Sequence, residues 1–94
     1  MLLQVTLPIE LFQGNLHMDD EPPLVLRRAS RHGVRDADAL HAWAFATDSF
    51  DVGEGMVMYV GPSASGALLE VGVIQWHDTL AVVHAMPARK KFLR

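Results

Sequence analysis

The sequence predicts an α+β fold in which two short helices pack on one face of a small antiparallel sheet. Residues with helical spacing of apolar side chains come first and end near Ala46. Strand-forming runs follow, separated by turns that contain glycine or proline. This order, helices and then a meander of strands, is typical of α+β proteins. Because 94 residues leave room for only one domain, we expect a single core.

The chain divides into a leader, residues 1–23, and the domain proper, residues 24–94. Met1–Glu10 reads as a short strand or an apolar tether interrupted by Pro8, and turn-forming residues fill 13–23. Leu24–Leu26 is predicted to be a brief strand at the start of the domain.

Two helices are predicted next. The first is a helical turn from Arg27 to His32, which Gly33 ends because glycine readily adopts the left-handed conformation that closes helices. The second runs from Arg35 to Ala46, with Asp36 in its first turn, where a carboxylate complements the helix dipole.

Beyond the helices the hydrophobic period changes to that of strands. A strand start is predicted at residues 50–52, and Pro87 should end the sheet because proline cannot donate to a ladder. The main strands are predicted at Met56–Val60, Ala67–Trp76 and Leu80–Met86, joined by a hairpin loop at residues 61–66 and a tight turn at residues 77–79.

Composition excludes several classes of protein. The chain has no cysteine, which excludes disulfides, cysteine-ligated zinc and thiolate catalysis. Its five histidines show no metal-binding spacing, so we expect neither a metal nor a cofactor. No apolar run approaches the roughly 18 residues of a membrane span, and the N-terminus does not resemble a secretory signal. The expected location is the cytoplasm.

Charge is unevenly distributed along the chain, whose formal net charge is −3. Before Leu24 there are four carboxylates and no lysine or arginine, so the remainder carries a net charge of +1. Two basic clusters flank the domain and would attract a polyanion if they met in space; otherwise they are ordinary solvated charges. Their members are Arg27, Arg28, Arg31 and Arg35 in one cluster, and Arg89, Lys90, Lys91 and Arg94 in the other.

One set of side chains has the chemistry for cleaving a phosphodiester without a metal. That reaction needs a general base, a general acid and a cation beside the phosphate. His84, Glu70 and Arg89 can supply these groups from the last two strands and the segment after them. Each also has a structural interpretation: His84 as a hydrogen-bonded core residue, Glu70 as a solvent-facing carboxylate, and Arg89 as part of a cover for the sheet edge.

The register of the last hairpin decides between these interpretations. A two- or four-residue turn at His77 and Asp78 places Val71 opposite His84, on the face of the apolar strand residues. A three-residue turn places Gly72 opposite His84, and Glu70 then shares its face. The sequence leaves both registers open.

Several short runs, taken in order, resemble a known family. The chain from residue 24 to 94 is similar to small, mostly actinobacterial toxin-like proteins related to the BrnT group within the RelE/ParE superfamily. The runs that carry the resemblance are Ala29–Val34 (ASRHGV), Asp38–Ala42 (DALHA), Tyr59–Pro62 (YVGP), Leu68–Val73 (LLEVGV) and His84–Leu93 (HAMPARKKFL).

The resemblance implies a compact α+β ribonuclease-type toxin, held inactive by a cognate antitoxin and cleaving RNA without a metal, although some members of the superfamily act on gyrase. In this hypothesis His84 or Glu70 is the base, and Arg89 and Arg31 clamp the phosphate. The positions that fall on the shared motifs are Arg31, His32, Glu70, His84 and Arg89, with Lys91 close by as a further RNA contact.

A second hypothesis is a non-catalytic interaction module, or an inactive relative of the same fold, that binds a small partner protein or itself as a homo-oligomer. The apolar segments Met1–Phe12 and Phe92–Leu93 favour it, because such segments often complete a neighbour's sheet or groove. The acidic net charge, which departs from the usually basic toxins, favours it as well.

Overall fold

The computed structural model describes residues 21–94, which contain one α-helix, two short 3-10 helices and one five-stranded sheet. The predicted leader lies outside the described residues except for its last three, which belong to no helix or strand. The elements are β1 (Leu24–Val25), a 3-10 helix (Arg27–Ser30), α1 (Asp36–Ala44), β2 (Asp48–Gly53), β3 (Met56–Pro62), β4 (Leu68–Trp76), β5 (Thr79–Pro87) and a C-terminal 3-10 helix (Lys90–Phe92).

The strands are ordered β1-β5-β4-β3-β2 across the sheet. From β2 to β5 they form an antiparallel meander, as predicted. The prediction of a purely antiparallel sheet is wrong, because β1 pairs with β5 in parallel, Leu24 opposite Ala81. The chain leaves β1 through the helices, enters the sheet at the far edge and returns strand by strand to β1. The sheet is therefore mixed.

The two predicted helices are reduced to one. The first is a single 3-10 turn of four residues, Arg27–Ser30, so the prediction of two helices is not confirmed. Gly33 ends this segment with φ +81°, and its N–H donates to the Ser30 carbonyl at 2.9 Å. Helix α1 ends at Ala44, two residues earlier than predicted, because Thr47 N–H already donates to the Val60 carbonyl beside it. No helix among residues 21–94 is long and apolar enough to cross a bilayer.

The sheet has a thick core on one face and a thinner one on the other. Side chains of α1, led by Trp43, pack with Val71 and Val73 of β4 and with Val82 and Ala85 of β5. Because side chains alternate across a strand, Met58 and Val60 of β3 point to the opposite face. There they form a second, smaller cluster with Phe92 of the C-terminal 3-10 helix.

Gly61 lets α1 lie directly on β3. A Cβ added at this residue would collide with the carbonyl oxygen of Ala42 and would lie 2.9 Å from the Cα of Ala46. Both are backbone atoms, so no side-chain rotation can relieve the overlap. The small residue is therefore a packing requirement of the helix–sheet contact.

We expect Gly61→Ala to lower the free energy of unfolding by about 1–3 kcal/mol, the usual cost of overpacking a core. Ala64→Ser also adds one heavy atom, in the exposed loop after β3, and should leave stability unchanged. Urea denaturation followed by circular dichroism measures both. Equal stability of the Gly61→Ala variant and the wild type would contradict the close approach of α1 to β3 at Gly61.

Candidate active site

A bulge in β5 places His84 on the same face of the sheet as Glu70. Trp76 pairs with Thr79, so the turn contains only His77 and Asp78, and the pairing continues without interruption to Val73 opposite Val82. The next pair is Gly72 with His84, so Val83 is an additional residue in β5. The register that puts His84 on the face of Glu70 is therefore present, but it arises from the bulge and not from a three-residue turn.

Glu70 is fully buried, with 0% of its surface exposed. It pairs with Val60 on one side and Met86 on the other, so it lies on the face of the smaller core cluster. The interpretation of Glu70 as a solvent-facing strand carboxylate is wrong. Burial of a carboxylate in this setting requires that its oxygens be satisfied by hydrogen bonds.

Both Glu70 oxygens accept such bonds. Oε1 accepts from the backbone N–H of Arg89 at 2.9 Å and from the Arg89 Nε at 3.1 Å. Oε2 accepts from the Arg89 Nη2 at 2.7 Å and from the His84 Nε2 at 2.8 Å. One carboxylate thus joins an imidazole from β5 to a guanidinium from the segment after it.

These donors keep Glu70 ionised. Burial by itself would raise the pKa of Glu70, but the hydrogen bonds from the Arg89 side chain, the Arg89 backbone and His84 together outweigh it, and the pKa lies below the ordinary value. An ionised carboxylate can only accept hydrogen bonds. His84 must therefore carry a hydrogen on Nε2, which leaves the lone pair of the neutral ring on Nδ1.

His84 and Arg89 remain in contact with solvent. The His84 side chain is 22% exposed and the Arg89 side chain 46%. Hydrogen bonding to Glu70 raises the pKa of Arg89, so the guanidinium stays charged. Within residues 21–94 no hydrogen bond engages His84 Nδ1 or Arg89 Nη1. A ring nitrogen with a lone pair and a cationic donor thus belong to two side chains that share the Glu70 carboxylate.

His32 joins this group from a different part of the chain. It is exposed in the loop between the first 3-10 helix and α1. Its ring meets the His84 ring edge-on, with centroids 5.7 Å apart and an interplanar angle of 74°. Four of the six predicted residues are therefore brought together: Glu70, His84, Arg89 and His32.

The other two predicted residues are not part of that cluster. The Nζ of Lys91 lies 5.2 Å from the centre of the Phe92 ring, and the Cζ of Arg89 lies 5.6 Å from the same centre. Arg31 is exposed, and its side chain makes no hydrogen bond or ion pair with other described residues. His41 of α1 lies outside the cluster as well, and its Nδ1 lies 2.7 Å from the Pro62 carbonyl oxygen.

Sequence reasoning missed two residues that shape the site. A Cβ on Gly72 would lie 3.1 Å from the His84 Cβ and 2.8 Å from the Met56 sulfur, so glycine leaves room for the imidazole. Phe92 is buried and anchors the segment that carries Arg89. A glycine inside an otherwise apolar strand is a signal of close approach that was available in the sequence.

Other parts of the described chain offer less chemistry. Residues 21–94 contain no group of three His, Asp or Glu side chains arranged to hold a metal ion. An open cavity of about 410 Å³ lies at the junction of α1, β2 and β3, and it contains none of the predicted site residues. Its lining is formed by Ala46, Thr47, Asp48, Ser49 and Tyr59.

No family model matches the chain, and no curated protein or solved structure matches it significantly.

We expect Glu70→Gln to lower the free energy of unfolding near neutral pH by about 1–3 kcal/mol, because a buried charged acceptor with several donors is lost. The pKa of Glu70 is lower in the folded than in the unfolded chain. Its stabilising effect is therefore present above the unfolded pKa of about 4.3 and is lost as the pH falls through the lower folded pKa. The difference in the free energy of unfolding between wild type and Glu70→Gln should therefore shrink as the pH falls.

Urea denaturation at a series of pH values from neutral to acidic measures this difference. Asp78→Asn, in the exposed turn of the same hairpin, is the matched control and should show no such pH dependence. A stability difference that stays constant down to low pH would mean that Glu70 is not ionised in the folded protein.

Proposed function

We propose that this chain is a metal-independent endoribonuclease, the toxin component of a bacterial toxin–antitoxin pair that acts in the cytoplasm. One observation carries the proposal: the buried carboxylate of Glu70 holds the imidazole of His84 and the guanidinium of Arg89 side by side. The resemblance of residues 24–94 to BrnT-related toxins supports the same conclusion, because these three residues fall on its motifs.

The burial of Glu70 supports a functional origin of the cluster. Removing a carboxylate from water costs several kcal/mol, and well-packed apolar residues often stabilise a fold equally well. Yet a fully buried glutamate stands between Leu69 and Val71 in the central region of the sheet. It orients two side chains that are themselves partly exposed, which is the arrangement that catalytic groups require.

Each group has a role in RNA cleavage. The Nδ1 of His84 takes the proton of the ribose 2′-hydroxyl while the 2′-oxygen attacks phosphorus. Arg89 stabilises the charge that develops on the phosphate oxygens. The P–O5′ bond breaks with its electron pair on the 5′-oxygen, which takes up a proton, so the products are a 2′,3′-cyclic phosphate and a 5′-hydroxyl. Glu70 is a positioning residue in this scheme and not the base, since both of its oxygens are occupied.

Further cations would bind the RNA backbone. Lys91 follows Arg89 on the C-terminal 3-10 helix, and Arg31 precedes His32 in the loop. Both are exposed, as residues that contact a solvated polyanion must be. A cognate antitoxin would inhibit the enzyme most directly by covering the exposed sides of His84 and Arg89.

We expect the purified chain to cleave single-stranded RNA in the presence of a chelator. His84→Ala should lower the cleavage rate about 10²–10⁴-fold through loss of the general base. Arg89→Ala should lower it about 10²–10³-fold through loss of transition-state charge stabilisation. His77→Asn removes an exposed imidazole in the β4–β5 turn, suits the positive φ of that residue and should leave the rate unchanged. Product ends are identified by mass spectrometry.

The readouts separate this function from its alternatives. Induction of the wild-type chain in bacteria should arrest growth, and induction of the His84→Ala, Arg89→Ala double variant should not. Equal RNA cleavage by wild type and double variant, or cleavage of DNA, which lacks the 2′-hydroxyl, would contradict the proposed chemistry.

A specific observation favours the second candidate, a non-catalytic interaction module. Among residues 21–94, β2 pairs with β3 alone, so its outer edge has no partner strand there and can accept one from another molecule. Val52 on this strand is 40% exposed, and Phe45, just before it, is 55% exposed. An interaction module would bind a partner, or a second copy of itself, by adding a strand at this edge.

If the module self-associates in this way, size-exclusion chromatography with light scattering should give a dimer for the wild type. Val52→Lys should then give a monomer, because it places a charge at the paired edge. Leu68→Lys, at an exposed residue of β4, is the control and should remain dimeric. A wild-type monomer at all accessible concentrations would contradict self-association through β2.

A further inference from the structure

The contact between His32 and His84 joins two segments that lie 52 positions apart in sequence. His32 follows the 3-10 helix Arg27–Ser30, whose Ala29 is buried in the main core. Gly33 then turns the chain, so the loop holds the His32 ring edge-on against the ring of His84. His32 is thus an exposed side chain whose backbone is fixed on both sides.

The two imidazoles are not equivalent. His84 has its Nε2–H committed to Glu70, and Nδ1 remains as its acceptor. No described residue forms a hydrogen bond or ion pair with the His32 side chain, whose ring meets the ring of His84. The first ring is oriented to accept a proton, and the second is free to exchange one with solvent or a ligand.

The cleavage reaction needs a proton donor that the Glu70 cluster does not contain. The departing 5′-oxygen of RNA is a poor leaving group unless it is protonated. Glu70 is ionised and buried, and an arginine does not give up its proton in proteins. Histidine changes charge near neutral pH and can serve as the acid.

We infer that His32 is a catalytic residue, the general acid that protonates the leaving 5′-oxygen while His84 acts as the base. The inference rests on the proposed ribonuclease function. In the balanced step, the 2′-hydroxyl proton passes to His84 Nδ1 as the bond from the 2′-oxygen to phosphorus forms. The P–O5′ bond breaks, its electron pair stays on the 5′-oxygen, and the proton on His32 passes to that oxygen. Solvent then restores both rings.

A pair of dinucleotide substrates tests this role. One carries the natural 5′-oxygen as the bridging leaving atom, and the other carries sulfur at that position. A thiolate leaves without protonation, so the sulfur substrate removes the need for a general acid while the need for a base remains. Wild type, His32→Ala, His84→Ala and His77→Asn are assayed on both substrates, with circular dichroism to confirm that each is folded.

We expect His32→Ala to lose about 10²-fold or more on the oxygen substrate and to approach the wild-type rate on the sulfur substrate. His84→Ala should lose activity on both, and His77→Asn on neither. A merely structural role for His32 would lower both rates together. His32→Ala that is equally impaired on the two substrates, or impaired on neither, overturns the inference while the ribonuclease function stands. A folded wild type that cleaves neither substrate overturns both.

Discussion

The pairing between β4 and β5 changes by one residue at Val83, and the arrangement of the whole site depends on this change. If the register set by the two-residue turn continued, His84 would lie opposite Val71 and would point into the core beneath α1. With Val83 additional in β5, His84 lies opposite Gly72 and shares a face with Glu70. The bulge therefore moves His84 from the face of the main core to the face of the buried carboxylate. A side chain on Gly72 would occupy the space that the His84 side chain needs there.

The ionised carboxylate of Glu70 holds both His84 and Arg89 in position. An ionised acceptor fixes the hydrogen of His84 on Nε2, and it also binds the Arg89 backbone N–H, so it determines where the chain goes after β5. That path brings Phe92 into the smaller core cluster on the second face of the sheet. The position of the C-terminal segment and the orientation of the imidazole consequently depend on the same carboxylate.

Local sequence patterns predict most of the helix and strand positions, but they do not predict which distant strands pair. Helical spacing predicted α1, and the alternating and apolar runs predicted β3, β4 and β5 within two residues of their ends. The first predicted helix is only a 3-10 turn of four residues, because few residues separate β1 from Gly33. The parallel β1–β5 pair and the bulge leave no periodic signal in either strand. The burial of Glu70 depends on Arg89, nineteen positions away, and on a register that the sequence left open.

The acidic net charge of the chain is compatible with an RNA-binding site once the charges are placed in the structure. Four of the eleven carboxylates precede Leu24 in the sequence. Within the domain, Asp38 pairs with Arg35 and Asp48 with Arg94, so two arginines that are not part of the site are neutralised locally. The cations that have no ion-pair partner in the described chain lie in the two segments next to His32 and Arg89: Arg27, Arg28, Arg31, Lys90 and Lys91. Since screening limits exposed charges to about 8 Å at physiological salt, this local distribution, and not the total, would govern how a phosphate meets the proposed site.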